Sequence, residues 1–486
     1  MLNHLVNEFN KTETLNGALA YKSTKSDVLD LFSMGGAYRN KSDDEVVKLF
    51  SKAYAEDATL AMKTLFYLRD ITQGQGERRF FRLVLRHLSL HNKDSLVKNL
   101  HLIPLYGRWD DMWELLETPV QKEVVNLVKK QLLADKDSEH PSLLAKWMPS
   151  ENASSTKTKK YAKILRKVLD VTPRQYRKLL SSLRSKIDLV ETKITKGMYA
   201  DIDYTRIPSK ANMVYRKAFS RNDTIRYDSF LKMLSENRVK VNSKTLYPND
   251  IVGKILGSYY WDTPHYTEQE IKLFEGQWNN LPNYIGDKPE DSIVMADVSG
   301  SMSGTPMNVA ISLAMYIAER NKGAYKDHFM TFSKRPELVK IQGTNIVEKV
   351  NNISHADWGM STNIEKSLQT ILDVAVKNNL SNEEVVKKIY IISDMQFNHC
   401  VDGANKNIFK NMEEKFNSYG YDLPNIVFWN VNAYSNTPMT MNEAGVQLVS
   451  GFSPSILTQL LNSDGKTPYD FMLDVICGDR YQKVTA

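Results

Sequence analysis

Residues 292–306, SIVMADVSGSMSGTP, carry the strongest fold signal of the C-terminal part. Ser292–Val298 is a short, β-rich apolar run of the length of a strand buried on both faces. It ends in Asp297-Val298-Ser299-Gly300-Ser301, and Thr305-Pro306 then opens a helix, with proline in the first turn where its missing N–H costs nothing. A strand followed by an oxygen-rich loop and a helix places that loop at the carboxyl end of a parallel sheet, where α/β proteins put their ligands. Alternation brings Asp297, Ser299 and Ser301 to one side of an extended loop, and Gly300 is expected to allow the tight turn.

Outward from this stretch the pattern repeats. Further β-rich runs fall at His328–Phe332, Ile389–Ile392, Asn425–Val431 and Val446–Val449, with helical periodicity at 306–321, 363–378, 403–418 and 454–462. Strands alternating with helices predict a mostly parallel, doubly wound α/β sheet covered on both faces. Two more oxygen donors sit at matching places. Thr362 lies in Gly359-Met360-Ser361-Thr362-Asn363 ahead of a helix, with Ser361 as its substitute, and Asp394 follows the strand Lys388–Ser393. Carboxylates and hydroxyls are the donors a hard divalent cation takes, Mg²⁺ first and Mn²⁺ or Ca²⁺ as alternatives.

The three loops resemble the metal-ion-dependent adhesion site (MIDAS) of von Willebrand factor A (vWA) domains, whose motifs are Asp-x-Ser-x-Ser, a threonine after a glycine-containing turn, and an aspartate after the fourth strand. Many such domains have Gly-Gly-Thr in the second loop, where this chain has Met-Ser-Thr. The resemblance implies direct contacts from Ser299, Ser301 and Thr362, with Asp297 and Asp394 acting through waters, and an open position for an acidic group of a partner protein.

Residues 1–285 read as helical. Ala61, Leu65, Leu68 and Ile71 fall at helical spacing, as do Phe80, Leu83, Val84 and Leu88, and Tyr161, Ile164, Leu165, Val168 and Leu169. Thr172, Pro173 and Gln175 form a helix-start signal, followed by an apolar face of Tyr176, Leu179, Leu180, Leu183 and Ile187. Short helices with turns between them predict stacked pairs, an α-solenoid, although no repeat period is evident. The Gly74-Gln75-Gly76 string reads as a helix-to-helix turn, because a phosphate-cradling loop would need glycine where Arg79 stands. The boundary is placed just after Gly286, giving a helical domain 1–285 and an α/β domain 286–486.

Charge separates the two parts. The net charge of +7 divides into +11 over residues 1–290 and −4 over 291–486, while residues 151–240 alone carry +13. This points to a polyanionic partner. On the helix from Lys159, the cations Lys159, Lys160, Lys163, Arg166 and Lys167 lie off the apolar stripe. Arg174, Arg177, Lys178 and Arg184 do the same on the next. Tyr204, Arg206, Lys210, Tyr215, Arg216, Lys217, Phe219 and Arg221 mix cations with aromatics as single-strand binders do.

Four strings ahead of the α/β part are distinctive: Arg69–Arg78 (RDITQGQGER), Tyr106–Asp111 (YGRWDD), Lys146–Ser150 (KWMPS) and Tyr204–Lys210 (YTRIPSK). They resemble the TROVE module of the Ro ribonucleoprotein family, and more closely TROVE-like proteins with a C-terminal vWA domain. That resemblance implies a ring of HEAT-like helix pairs closed by the vWA domain, binding structured non-coding RNA outside and single-stranded ends in its hole, as a scaffold and not an enzyme. Independently, Asp464-Gly465-Lys466-Thr467 fails as a Walker A end because Leu460 stands where glycine is required, and no His-Glu-x-x-His, Cys-x-x-Cys or Gly-x-Ser-x-Gly is present. His355 and His399, near the expected metal loops, read as surface or supporting groups. The two cysteines, Cys400 and Cys477, fit a reducing cytoplasm, and no apolar run long enough for a membrane span is expected.

Overall fold

A computed structural model gives the architecture and describes residues 1–257, 266–286, 291–331, 336–354, 363–397, 408–433 and 438–486. The first part is α-rich and the second is built on a mixed, parallel-dominated sheet. The start signal at Thr172 is realised in full. Its hydroxyl accepts from the Gln175 amide, the Gln175 side chain returns to the Thr172 amide, and the helix runs Pro173–Lys186. The Ala58–Arg69 helix stops short of Ile71, because Asp70 leaves helical geometry and accepts hydrogen bonds from Thr72. Gly76 has φ 67°, as the turn reading requires.

The N-terminus holds a hairpin that periodicity did not suggest, β1 (Lys11–Glu13) with β2 (Leu19–Tyr21). The large sheet contains β3 (Ser292–Ala296), β4 (His328–Thr331), β5 (Leu338–Lys340), β6 (Lys388–Ser393), β7 (Asn425–Asn430) and β8 (Val446–Ser450), in the order β5-β4-β3-β6-β7-β8. All neighbours are parallel except β4 and β5. Alternate residues serve two cores. Ile293, Met295, Ile389, Ile391, Ile426 and Phe428 enter one cluster, and Val294, Ala296, Tyr390, Ile392, Val427 and Trp429 enter another. Burial on both faces explains why these strands read as unbroken apolar runs.

The second of those clusters does not stop at residue 286. It continues into Val28, Phe32, Tyr67, Leu68 and Ile255 of the helical part. The Asp27–Gly35 helix lies against β8 so closely that a Cβ on Gly36 would stand 2.8 Å from the Ser450 carbonyl. Gln75 reaches the end of β8 from the helical side: its Nε2 donates to the Tyr67 hydroxyl at 2.6 Å and its Oε1 accepts from the Ser453 amide at 3.3 Å. The chain's end returns to the helical part as well, where Arg480 forks onto the buried Asp70 at 2.7 and 3.0 Å. Gly36→Ala is therefore expected to cost roughly 1–3 kcal/mol by forcing backbone apart at this joint, measurable by urea denaturation.

Candidate functional site

β3 and β6 are adjacent and parallel, so the residues following them emerge side by side at the same sheet edge. Asp297 and Asp394 are both fully buried there, Ser299 is 8% exposed, and Ser301 is exposed. Asp297 Oδ1 accepts from the Ser299 amide at 2.9 Å, and its Oδ2 accepts from the Ser393 hydroxyl at 2.6 Å. The hydroxyls of Ser299 and Ser301 are 3.1 Å apart. Asp394 Oδ1 accepts from the Gln396 amide at 3.1 Å, while Asp394 Oδ2 is buried with no hydrogen-bond partner among the described residues.

Two buried carboxylates at one sheet edge disfavour being charged together. Burial, and then the charge of Asp297, raise the Asp394 carboxyl to about 6, and burial also raises Asp297. The unpartnered oxygen, the facing carboxylates and the paired hydroxyls are a donor set a hard divalent cation would satisfy, with waters completing its shell. Among the described residues, no group of three or more His, Cys, Asp and Glu converges.

Of the expected metal ligands, the fold brings Asp297, Ser299, Ser301 and Asp394 together. Thr362, its substitute Ser361, and also His355 and His399 lie outside the described residues, as does the expected boundary at 287–290. Gly300 is not the strained position of the first loop. Gly300–Met302 forms a 3₁₀ turn, and the positive φ of 85° falls at Gly304. Ser393 was missed by sequence reading, although a hydroxyl immediately before a strand-end aspartate is the available signal. Its hydroxyl also accepts from the Met395 amide at 3.0 Å. Met395 has φ 64°, a conformation that costs a non-glycine residue about 1–3 kcal/mol and persists only where surroundings over-determine it.

The basic helices divide into free and engaged cations. Lys159, Lys163, Lys167, Arg174, Lys178, Lys217 and Arg221 are exposed, and their side chains form no ion pair with the described residues. Lys160 pairs with Glu117, Arg166 and Arg177 share Glu151, Arg206 meets Asp203, and Lys210 meets Asp250. Two of the expected contacts are engaged within the fold. Arg184 is half-buried and donates to the carbonyls of Ala145 and Met148 and to the Ser150 hydroxyl, which makes it a brace for the Lys146–Ser150 string. Arg216 is likewise half-buried on Glu270 and the Met213 carbonyl. The aromatics are engaged too: Tyr204 and Phe219 are packed inside a third apolar cluster, out of reach of a base, and Tyr215 is partly buried against it.

Comparison with known proteins follows the same division of the chain. Residues 14–167 and 128–289 match a domain of unknown function, DUF2828, and residues 291–474 match a second, DUF7788. Uncharacterized protein L728 of Acanthamoeba polyphaga mimivirus is 31% identical over 510 residues, an alignment covering 96% of this chain and 87% of that protein. The chain belongs to the family defined by the DUF2828 domain, with a DUF7788 domain following it.

Proposed function

We propose that the protein is a Ro-like RNA-binding scaffold. In this reading a TROVE-like, HEAT-like helical module carries non-coding or misfolded RNA, and a vWA-type domain holds a divalent cation, Mg²⁺ foremost. The supporting observation is the row of exposed cations without counter-charges on two consecutive helices, Thr156–Val168 and Pro173–Lys186. Phosphates would replace the counter-ions of such a face, which gives affinity with little sequence information. At the sheet edge, Asp297, Ser299, Ser301 and Asp394 would hold the cation, with Thr362 as a further donor. When bound, the cation neutralises the two carboxylates and offers a coordination position to an acidic group of a partner. The reading is non-catalytic and its setting the cytoplasm; among the described residues no helix is long and apolar enough to cross a membrane.

Gel shifts with structured and single-stranded RNA at two salt concentrations test it. Replacing Arg174, Arg177 and Lys178 together is expected to weaken binding to all sequences alike. The slope of log affinity against log salt should fall by about 0.7–0.9 for each phosphate that the variant no longer neutralises. Wild-type binding that is absent or indifferent to salt would reject the RNA reading. A second reading, a metal-dependent protein–protein module without RNA, is favoured by the exposure of Ser301 beside the buried carboxylates. Pull-down with and without EDTA, set beside the gel shifts, separates it, since only this reading expects cation-dependent capture of a protein together with no binding of RNA.

A further inference from the structure

The N-terminal hairpin is bonded to the loop that carries Asp394, across more than 370 positions of sequence. The Thr14 hydroxyl donates to the Phe397 carbonyl at 2.7 Å. The Leu15 amide donates to Gln396 Oε1 at 2.9 Å, and Asn16 Nδ2 donates to the Gln396 carbonyl at 2.7 Å. Thr14 Oγ1 also accepts from the Ala18 amide at 3.0 Å, which fixes the turn that presents all three donors. Beneath it, Ala18 and Ala20 are fully buried in the cluster that holds Met395, Phe397 and Met439, and the Tyr21 amide donates to the Pro438 carbonyl at 3.0 Å.

What the hairpin grips is a segment with strained backbone. Met395 sits in the left-handed region directly after Asp394. Gln396, which receives the Leu15 and Asn16 donors, is also the residue whose amide holds Asp394 Oδ1. A continuous line of bonds therefore runs from the hairpin turn through Gln396 to the carboxylate whose other oxygen has no partner among the described residues. Without the hairpin, a loop strained at Met395 would relax and swing that carboxylate, which the Ser301 hydroxyl also bonds, out of place.

We propose that this hairpin is a clamp on the Asp394 loop, with Thr14 and Asn16 as positioning residues for the cation site; the metal consequence rests on the cation reading above. Groups that orient a ligand from behind typically contribute about 10- to 100-fold to metal affinity. The same bonds tie the entry of the helical part to the sheet edge, so an event that lifts the hairpin would loosen the site.

The test uses the full chain with Thr14→Val/Asn16→Ala, and Thr14→Ser as the conservative control. Mn²⁺ affinity by calorimetry is expected to fall about 10- to 100-fold in the double variant and to stay at the wild-type level in Thr14→Ser. In EDTA, amide hydrogen exchange at residues 395–397 should speed up roughly ten- to thirtyfold, because two hydrogen bonds from the hairpin to this loop are lost, while the helical part keeps its protection. Wild-type Mn²⁺ affinity in the double variant overturns the positioning role. If the wild type itself takes no Mn²⁺, the cation reading falls and exchange alone decides: faster exchange supports the clamp, and unchanged exchange overturns it.

Discussion

In EDTA at pH 8, Asp394→Asn is expected to be more stable than the wild type by roughly 3 kcal/mol, and in saturating Mg²⁺ the order should reverse. The carboxyl of Asp394 is raised from 3.8 to about 6 by burial and by Asp297. The folded protein thus binds this proton more tightly than the unfolded chain does. Its stabilising contribution is complete below about pH 4, and it is lost as pH climbs through about 6. A carboxyl raised this far in the folded state corresponds to about 3 kcal/mol of pH-dependent stability. Above that range the cation-free protein carries an ionised, buried carboxylate facing another. An amide at this position carries no charge and escapes the cost. The advantage should shrink at pH 5, where the wild type is largely protonated. A bound cation inverts the balance, because a ligand at 1,000 times its Kd stabilises by about 4.1 kcal/mol and the variant forgoes it. Urea denaturation at pH 5 and 8, with EDTA or Mg²⁺, reads all four conditions. A variant that is weaker than the wild type in EDTA at pH 8 would contradict the geometry.

Asp111→Ala is expected to cost about 3–5 kcal/mol, the range for leaving a buried charge without its partner. Asp111 is fully buried and bridges two arginines: Arg69 Nε donates to its Oδ2 at 2.8 Å and Arg82 Nε to its Oδ1 at 2.7 Å. Arg69 is only 2% exposed, so water cannot replace the lost carboxylate. Gly107 is confined by the same pair, since a Cβ there would stand 2.5 Å from Asp111 Oδ2 and 2.8 Å from Arg69 Nε. Replacing the buried pair, as Arg69→Met/Asp111→Leu, should recover part of the loss, because apolar pairs of similar volume often substitute for buried ions without penalty and Arg82 keeps Asp110. Equilibrium denaturation of both singles and the double gives the coupling directly. A loss below about 1 kcal/mol in Asp111→Ala would show that Arg69 finds another partner.

What sequence made legible follows from what each signal encodes. The strands were visible because burial on both faces writes unbroken apolar runs, and Asp297 and Asp394 were visible because each immediately follows such a run. Strand β5 was not, since Leu338–Lys340 is an edge of three residues with an exposed leucine and lysine. The hairpin was hidden for a similar reason: three-residue strands show too little alternation, and their partners lie at Gln396, Phe397 and Pro438. The distinctive helical strings were legible as strings and not as roles. Asp70 takes Arg480, Asp111 takes Arg69, Gln75 takes Ser453, and the carbonyls of Met148 and Trp147 take Arg184 and Trp113. They are joints between separate segments, and sequence spacing carries no record of a partner 34 to 410 residues away. Composition placed positive charge in 151–240 correctly, yet it could not tell the free Lys163 and Lys178 from the engaged Arg184 and Arg216. That distinction depends on carbonyls and carboxylates supplied by other elements.

The most direct measurement is a Mn²⁺ titration of the full chain followed by electron paramagnetic resonance, alongside Asp297→Ala and Asp394→Ala. One Mn²⁺ bound per chain, displaced by Mg²⁺ and abolished in both variants, is the expected result. No bound Mn²⁺ in the wild type, or binding that survives the loss of either carboxylate, would contradict a cation site at the ends of β3 and β6.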